Sequence, residues 1–242
     1  MAIDTVLNAK ENPEAVTDMF NDISGRYDRV NRVLSLGQDI LWRRRLVESA
    51  TDLQPRNVLD LATGTGDVLF SLVHRSPSLS QAVGVDAAGA MIALAQAKQE
   101  KRDPLRRIQF LVGDAHHLDI ADDAFDVVTI AFGIRNVEDP VRVMREAHRV
   151  LKPGGRLAVL EFSLPANPVI RQIYLAYFRH VLPVLGGFIS GNSAAYRYLN
   201  RTVEAFPYGK SFLRLMGAAG FEDAKAAPLA FGIATLYVSH KL

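Results

Sequence analysis

Leu59-Asp60-Leu61-Ala62-Thr63-Gly64-Thr65-Gly66-Asp67 is the stretch on which the fold turns. Val58 to Ala62 is a short apolar run that makes a buried strand, and Val68 to His74 has helical spacing, so the glycines sit where strand becomes helix. Glycine there lets the backbone turn tightly and admits a ligand without a Cβ in the way. The same turn also serves plain strand-to-helix connections, so the surrounding chain must decide what it holds.

Downstream the alternation continues. Ala82 to Val85 reads as a strand and Ala90 to Lys101 as a helix; Ile108 to Val112, Phe125 to Ala131 and Arg156 to Phe162 read as strands, with a helix at Pro140 to Val150. Strand after helix after strand predicts a mostly parallel sheet with helices on both faces, and ligands of such sheets sit beyond the carboxyl ends of the strands. Upstream, Phe20, Ile23, Tyr27, Val30 and Leu34 step by three and four, and Leu41, Trp42 and Leu46 continue an apolar helical pattern after Gly37. Ser163 to Lys210 interrupts the alternation with about fifty helical and aromatic residues, an insertion of the kind that carries specificity. Phe212 to Ala219 then reads as a helix ended by Gly220, and Thr235 to His240 as a terminal strand. The expectation is one α/β domain: a helical lid over 1–54, a ligand-binding core over 55–162, a helical insertion over 163–210 and a closing unit over 211–242.

Composition narrows the chemistry. The chain has 242 residues, a net charge of +2 and no cysteine, which excludes disulfides, thiolate metal sites and a cysteine nucleophile. No His-Glu-x-x-His spacing is present, and no metal site is expected. Met1 to Lys10 lacks the basic flank and apolar run of a signal peptide. Val181 to Ile189 is far shorter than the ~20 residues of a spanning helix. The basic residues are scattered, so nucleic acid is not an expected partner.

Two motif classes fall away on inspection. Continuing Gly64-x-Gly66, a dinucleotide fingerprint would place its third glycine at Leu69, and the Gly209 to Ser211 run has Glu204 where a phosphate loop needs its first glycine. Two carboxylates strengthen a different reading. Asp86 ends the second strand, 20 residues after Gly66, where a carboxylate accepts both hydroxyls of a ribose. Asp114 follows the third strand in Gly113-Asp114-Ala115, placed to accept from an exocyclic amine. Either carboxylate alone also suits a turn or cap, but three strand-end features in register point to an adenosine ligand.

The Asp60 to Asp67 loop, Asp86, Gly113-Asp114-Ala115, Phe125-Asp126-Val127-Val128 and Leu151-Lys152-Pro153-Gly154-Gly155 resemble, in order, the motifs of class I S-adenosylmethionine-dependent methyltransferases. Motifs outside that core are more specific. Tyr27-Asp28-Arg29-Val30-Asn31, Ser35-Leu36-Gly37, Trp42-Arg43, Phe132-Gly133-Ile134-Arg135-Asn136, Glu161-Phe162-Ser163, Tyr196-Arg197-Tyr198-Leu199 and Phe206-Pro207 resemble the menaquinone and ubiquinone biosynthesis C-methyltransferase family. The resemblance implies a Rossmann-like seven-stranded sheet, S-adenosylmethionine as methyl donor, and methylation of a ring carbon on a prenylated quinol, with demethylmenaquinol as the expected acceptor. Cofactor contacts are expected at Asp60, Thr63, Gly64, Gly66, Asp86, Asp114, Ala115 and Ala131, the last through its backbone where some members carry a serine.

A quinol carbon becomes nucleophilic when the adjacent hydroxyl loses its proton, so the protein must favour a phenolate. Arg135 is expected to stabilise that charge and Asn136 to orient the ring, each with a structural salt bridge or loop hydrogen bond as the alternative role. Tyr196 and Tyr198 are acceptor-side aromatics, and Tyr27, Asp28 and Asn31 are expected in the lid. Ile170, Ile173, Tyr174, Tyr177, Phe178, Val181, Leu182 and Leu185 form a stripe flanked by Arg171, Arg179 and His180, which reads as core packing or as a groove for a prenyl tail. A cytoplasmic protein with transient contact at the inner membrane surface, and a homodimer, complete the expectations. A ubiquinone-pathway acceptor, a nicotinamide oxidoreductase and a noncatalytic prenyl-lipid binder remain as alternatives.

Overall fold

Asn12 starts the first helix by accepting the Ala15 amide at 3.1 Å, and Pro13 occupies the first turn, where no amide partner is needed. Helix α1 (Pro13–Leu34) buries Val16, Met19, Ile23, Val30 and Leu34. It stops at Ser35-Leu36-Gly37, where Leu36 and Gly37 adopt φ of +52° and +76°. A second helix, α2 (Gln38–Thr51), follows and buries Trp42, Leu46, Val47 and Ala50. Leu41 departs from the expected apolar face and is 53% exposed, because its position points roughly a quarter-turn away from Trp42. A computed structural model of the chain describes residues 12–184 and 193–242.

The remaining elements are β1 (Asn57–Leu61), α3 (Asp67–Arg75), β2 (Gln81–Asp86), α4 (Gly89–Arg102), β3 (Ile108–Val112), β4 (Phe125–Ala131), α5 (Pro140–Val150) and β5 (Leu151–Phe162). Helix α6 (Pro168–Ala176) runs into one π turn at Tyr177–Val181, and α7 (Ser193–Ala205), α8 (Lys210–Ala218), β6 (Glu222–Leu229) and β7 (Ala234–His240) complete the chain. The sheet has seven strands in the order β3-β2-β1-β4-β5-β7-β6. Pairs among β1 to β5 are parallel, and β7 lies antiparallel to both β5 and β6. The order reverses between β2 and β4, on either side of β1, and that switch point opens a crevice at the carboxyl edge.

The sequence reading finds six of the seven strands and misses β6. That strand sits at the sheet edge, is largely exposed and carries Pro228, so it has no apolar run to betray it. Strand β5 also begins earlier than expected, at Leu151, because Leu151-Lys152-Pro153-Gly154-Gly155 is the foot of the strand. Asp126 organises this foot: its carboxylate accepts the Arg56 and Asn57 amides at 2.9 and 2.8 Å and the Lys152 ammonium at 2.6 Å. That motif therefore works at the edge opposite the crevice.

Both sheet faces are covered by apolar clusters, and a third cluster lies apart from them. In it Val16, Met19 and Ile23 of α1 pack with Tyr174 and Phe178 of the insertion and with Tyr198 of α7. The two helical segments, far apart in sequence, thus form one roof over the carboxyl edge.

Leu69, the residue that replaces a third glycine, is fully buried against β2 at Gly84. A Cβ on Gly84 would lie 2.8 Å from Leu69 Cδ1 and 2.9 Å from Thr63 Cγ2, so the close approach of helix to strand is supplied from the strand side. Gly84→Ala is expected to lower stability by about 1–3 kcal/mol through overpacking. A urea unfolding midpoint equal to that of the parent would refute this packing account.

Candidate functional site

Strand β1 exits into the glycine loop with Ala62 at φ +53° and Gly64 at φ +57°, and Gly66 at φ +83° heads α3. A Cβ on Gly66 would strike the Phe110 ring at 2.8 Å, so its role is packing beneath the loop. The Gly64 amide donates to Asp86 Oδ2 at 2.7 Å, and the Ala88 amide to Asp86 Oδ1 at 2.9 Å. Asp86 is thereby fixed at the end of β2. Burial pushes its carboxyl above the ordinary range, against the two amides that favour the charged form.

A polar cavity of about 610 Å³ opens at this edge, lined by Gly64, Asp86, Asp114, Ala115 and Ala131 among the expected residues. Its outer wall is α1, from Asn12 to Tyr27, and its far wall is the turn after β4. Asp60, Thr63 and Gly66 do not line it. Asp60 faces inward, 1% exposed, with Oδ1 accepting the Thr129 hydroxyl at 2.5 Å.

Asp114 stands at the rim. Partial burial acts to raise its carboxyl, but hydrogen bonds from the His116 amide and ring outweigh it and hold the group below the usual carboxylate range. His116 has a task that the sequence did not suggest. Its Nδ1 lies 2.7 Å from Asp114 Oδ1, while Nε2 accepts the Asp139 amide at 3.2 Å, which assigns the proton to Nδ1. The ring thus clips the loop after β3 to the start of α5.

The second cavity, of about 340 Å³, is apolar and lies under the roof. Ile170, Ile173, Tyr174, Tyr177, Phe178 and Leu182 of the insertion line it, so most of the expected stripe is a cavity wall. Leu185 lies outside the described residues, as does the side chain of Tyr196. Tyr198 lines this cavity and donates to Asn136 Oδ1 at 3.2 Å. Asn136 Nδ2 in turn approaches the Phe132 carbonyl at 3.4 Å. Trp42 and Arg43 are also in the wall, and the Arg43 guanidinium, paired with Asp39, lies 5.5 Å from the centre of the Phe132 ring.

Phe20, Tyr27 and Phe132 line both cavities and therefore form the partition between them. Burial pushes the Tyr27 hydroxyl up in pKa, opposed by Arg135, Arg43 and a hydrogen bond with Asn31. Arg135 is 9% exposed; its Nη1 donates to Glu161 Oε1 at 2.8 Å and to the Phe132 carbonyl at 2.6 Å. The guanidinium lies 5.2 Å from the centre of the Phe162 ring. It is the salt bridge of the alternative reading, yet it still lines the apolar cavity.

Asp28 fastens the lid. Its carboxylate accepts Thr65 Oγ1 at 2.7 Å and Lys98 Nζ at 2.5 Å, and Lys98 also donates to Thr65 Oγ1 at 2.8 Å. Arg32 reaches Asp67 at 3.2 Å and Asn21 accepts the Ala90 amide at 3.0 Å, so α1 is tied to both helices that flank the polar cavity.

Burial raises the Asp60 carboxyl from 3.8 to about 6, against the hydrogen bond from Thr129. The native state then keeps a proton that the unfolded chain releases. This contribution to stability is present below pH 3.8 and is lost as pH rises through about 6. Asp60→Asn retains an acceptor for Thr129 and is expected to shift the pH 4 to pH 7 stability difference in favour of neutral pH. Equal urea midpoint differences in variant and parent would rule out the raised carboxyl.

Comparison with known proteins agrees with this geometry. A Demethylmenaquinone methyltransferase of Thermus thermophilus is 48% identical over 223 residues, covering 92% of this chain and 100% of that protein. The Ubiquinone/menaquinone biosynthesis C-methyltransferase UbiE of Geobacter sulfurreducens is 43% identical, covering 98% of this chain and 92% of that protein. A SAM-dependent methyltransferase from Thermotoga maritima superposes with a TM-score of 0.67 at 20% identity, over 94% of this chain and 100% of the other, which shows the same Rossmann-like methyltransferase fold. The profile of the ubiE/COQ5 methyltransferase family matches residues 6–241. With a switch-point crevice, a glycine loop held to a strand-end carboxylate and that match over nearly its whole length, the chain belongs to the ubiE/COQ5 methyltransferase family.

Proposed function

We propose that this enzyme methylates a ring carbon of a prenylated quinol, with demethylmenaquinol as acceptor and S-adenosylmethionine as donor. The observation that carries the reading is the pair of adjoining cavities, one with strand-end carboxylates and one apolar, with Phe20, Tyr27 and Phe132 lining both. A donor and an acceptor held on either side of one aromatic partition are positioned for transfer, which is most of what this reaction asks of a protein.

The polar cavity fits the donor. Asp86 keeps lone pairs free on both carboxylate oxygens for ribose hydroxyls, since each accepts only one amide. Gly64 leaves its backbone open, with nothing within 4 Å of an added Cβ, and Asp114 and Ala115 stand at the far rim. When bound, S-adenosylmethionine supplies an electrophilic methyl group on a positively charged sulfur.

On the acceptor side the chain's own groups favour the phenolate. Arg135 lines a mainly apolar chamber, and its guanidinium, held through Nη1 by Glu161, supplies the cation that a phenolate there needs. Asn136 lines the polar cavity rather than the apolar one and acts on the acceptor side through Tyr198, whose hydroxyl it holds. Labelled methyl transfer to a short-chain demethylmenaquinone is expected with the reduced acceptor only. Arg135→Lys is expected to lower turnover at least about tenfold, because lysine lacks the planar fork. Full turnover in that variant would remove Arg135 from the mechanism.

Leu36 is 83% exposed, Ile173 66% and Phe231 80%; Leu36 and Ile173 line the apolar cavity, and Phe231 follows Ala230, which also lines it. No helix among the described residues is long and apolar enough to cross a membrane. The apolar rim supports transient contact with the cytoplasmic surface of the inner membrane, through which a prenyl tail reaches the chamber. Flotation with anionic liposomes is expected for the parent and reduced for a Leu36→Ser, Phe231→Ser pair. Parent protein that stays in solution contradicts the contact.

A further inference from the structure

Four tyrosines among the described residues line the apolar cavity, and three have assigned partners. Tyr177 donates to the Leu34 carbonyl at 3.0 Å and ties the insertion to α1, Tyr198 donates to Asn136, and Tyr27 bonds with Asn31. Tyr174 is different. It is 8% exposed, and its hydroxyl is buried without a hydrogen-bond partner among the described residues. Arg135 Nε, in the same wall, is likewise buried and unpaired.

Unpaired polar groups in an interior are rare because each forfeits its hydration with nothing in return. Here both belong to residues that line one cavity, and both are donors. Burial raises the Tyr174 pKa, opposed by nearby Arg135, so the hydroxyl keeps its proton at neutral pH. The missing partner is therefore an acceptor atom. Most of the chamber's wall is apolar and aromatic: Tyr174 and Phe178 have centroids 4.8 Å apart, and Phe132 and Phe162 4.6 Å. An aromatic ring bearing oxygen satisfies both the donors and the walls.

Resting on the acceptor class above, we propose that the Tyr174 hydroxyl and Arg135 Nε form the subsite that recognises a ring oxygen of the acceptor, making Tyr174 a specificity-determining residue. A hydrocarbon ring entering the same chamber leaves both donors buried and unmet, so the pair discriminates by oxygenation.

The chain's single tryptophan, Trp42, lies in the wall of this cavity and provides a binding signal that needs no turnover. Fluorescence quenching is titrated with 1,4-dihydroxynaphthalene, kept reduced, and with naphthalene, for the parent and for Tyr174→Phe. The variant is expected to bind the dihydroxy ring about tenfold more weakly and naphthalene equally well. Its melting temperature without ligand is expected to be unchanged or higher, since the substitution removes an unmet hydroxyl. Equal affinity of parent and variant for the dihydroxy ring, equal loss on both ligands, a lowered melting temperature, or no quenching of the parent would each overturn the proposal. Binding with the expected discrimination but no methyl transfer by the parent would leave the subsite standing and refute the proposed reaction instead.

Discussion

Two loops are pressed together at the carboxyl edge of the sheet, and the site depends on how closely. A Cβ on Gly133 would lie 2.3 Å from the Cβ of Ala62, so only glycine lets the exit of β4 lie on the exit of β1. The residues at the contact are bent to suit it, with Ala62 at φ +53° and Phe132 at φ +57°. Such left-handed conformations at non-glycine residues persist where surrounding structure enforces them. Here the Phe132 amide is held by the Leu160 carbonyl at 2.8 Å and the Thr63 amide by the Val85 carbonyl at 3.1 Å. The result is that the glycine loop and the Arg135-Asn136 turn stand side by side, with Phe132 between the two chambers.

The second dependency is the roof. Neither α1 nor the insertion covers the carboxyl edge alone; their apolar faces meet each other, and the space left between roof and sheet is the apolar cavity. Asp28, Lys98 and Thr65 fasten the same roof to the glycine loop through charged groups that are only partly exposed. The polar cavity is thus closed on one side by a helix that the glycine loop itself holds, so the order of the loop and the order of the lid are coupled.

Much of this was legible in the sequence. Gly64, Asp86 and Gly113-Asp114-Ala115, all legible as strand-end and turn residues, line the polar cavity because such features are local. Asp60, Thr63 and Gly66 were read as cofactor contacts from the same loop, yet none lines that cavity, since β1 is a central strand buried on both faces and Gly66 lies over Phe110. Tyr174 was legible only as one apolar residue in a stripe. Its unmet hydroxyl is a fact about its surroundings.

By itself, then, the sequence determined the alternating strands and helices, the glycine turn and the two strand-end acids, because these follow from periodicity and from the backbone needs of single residues. Only the tertiary structure decided that the lid and the insertion share one core, that Arg135 pairs with Glu161, and that three aromatic residues line both cavities. Those outcomes join residues 26 to about 180 positions apart, and such contacts are set by how whole elements pack, which no local pattern encodes.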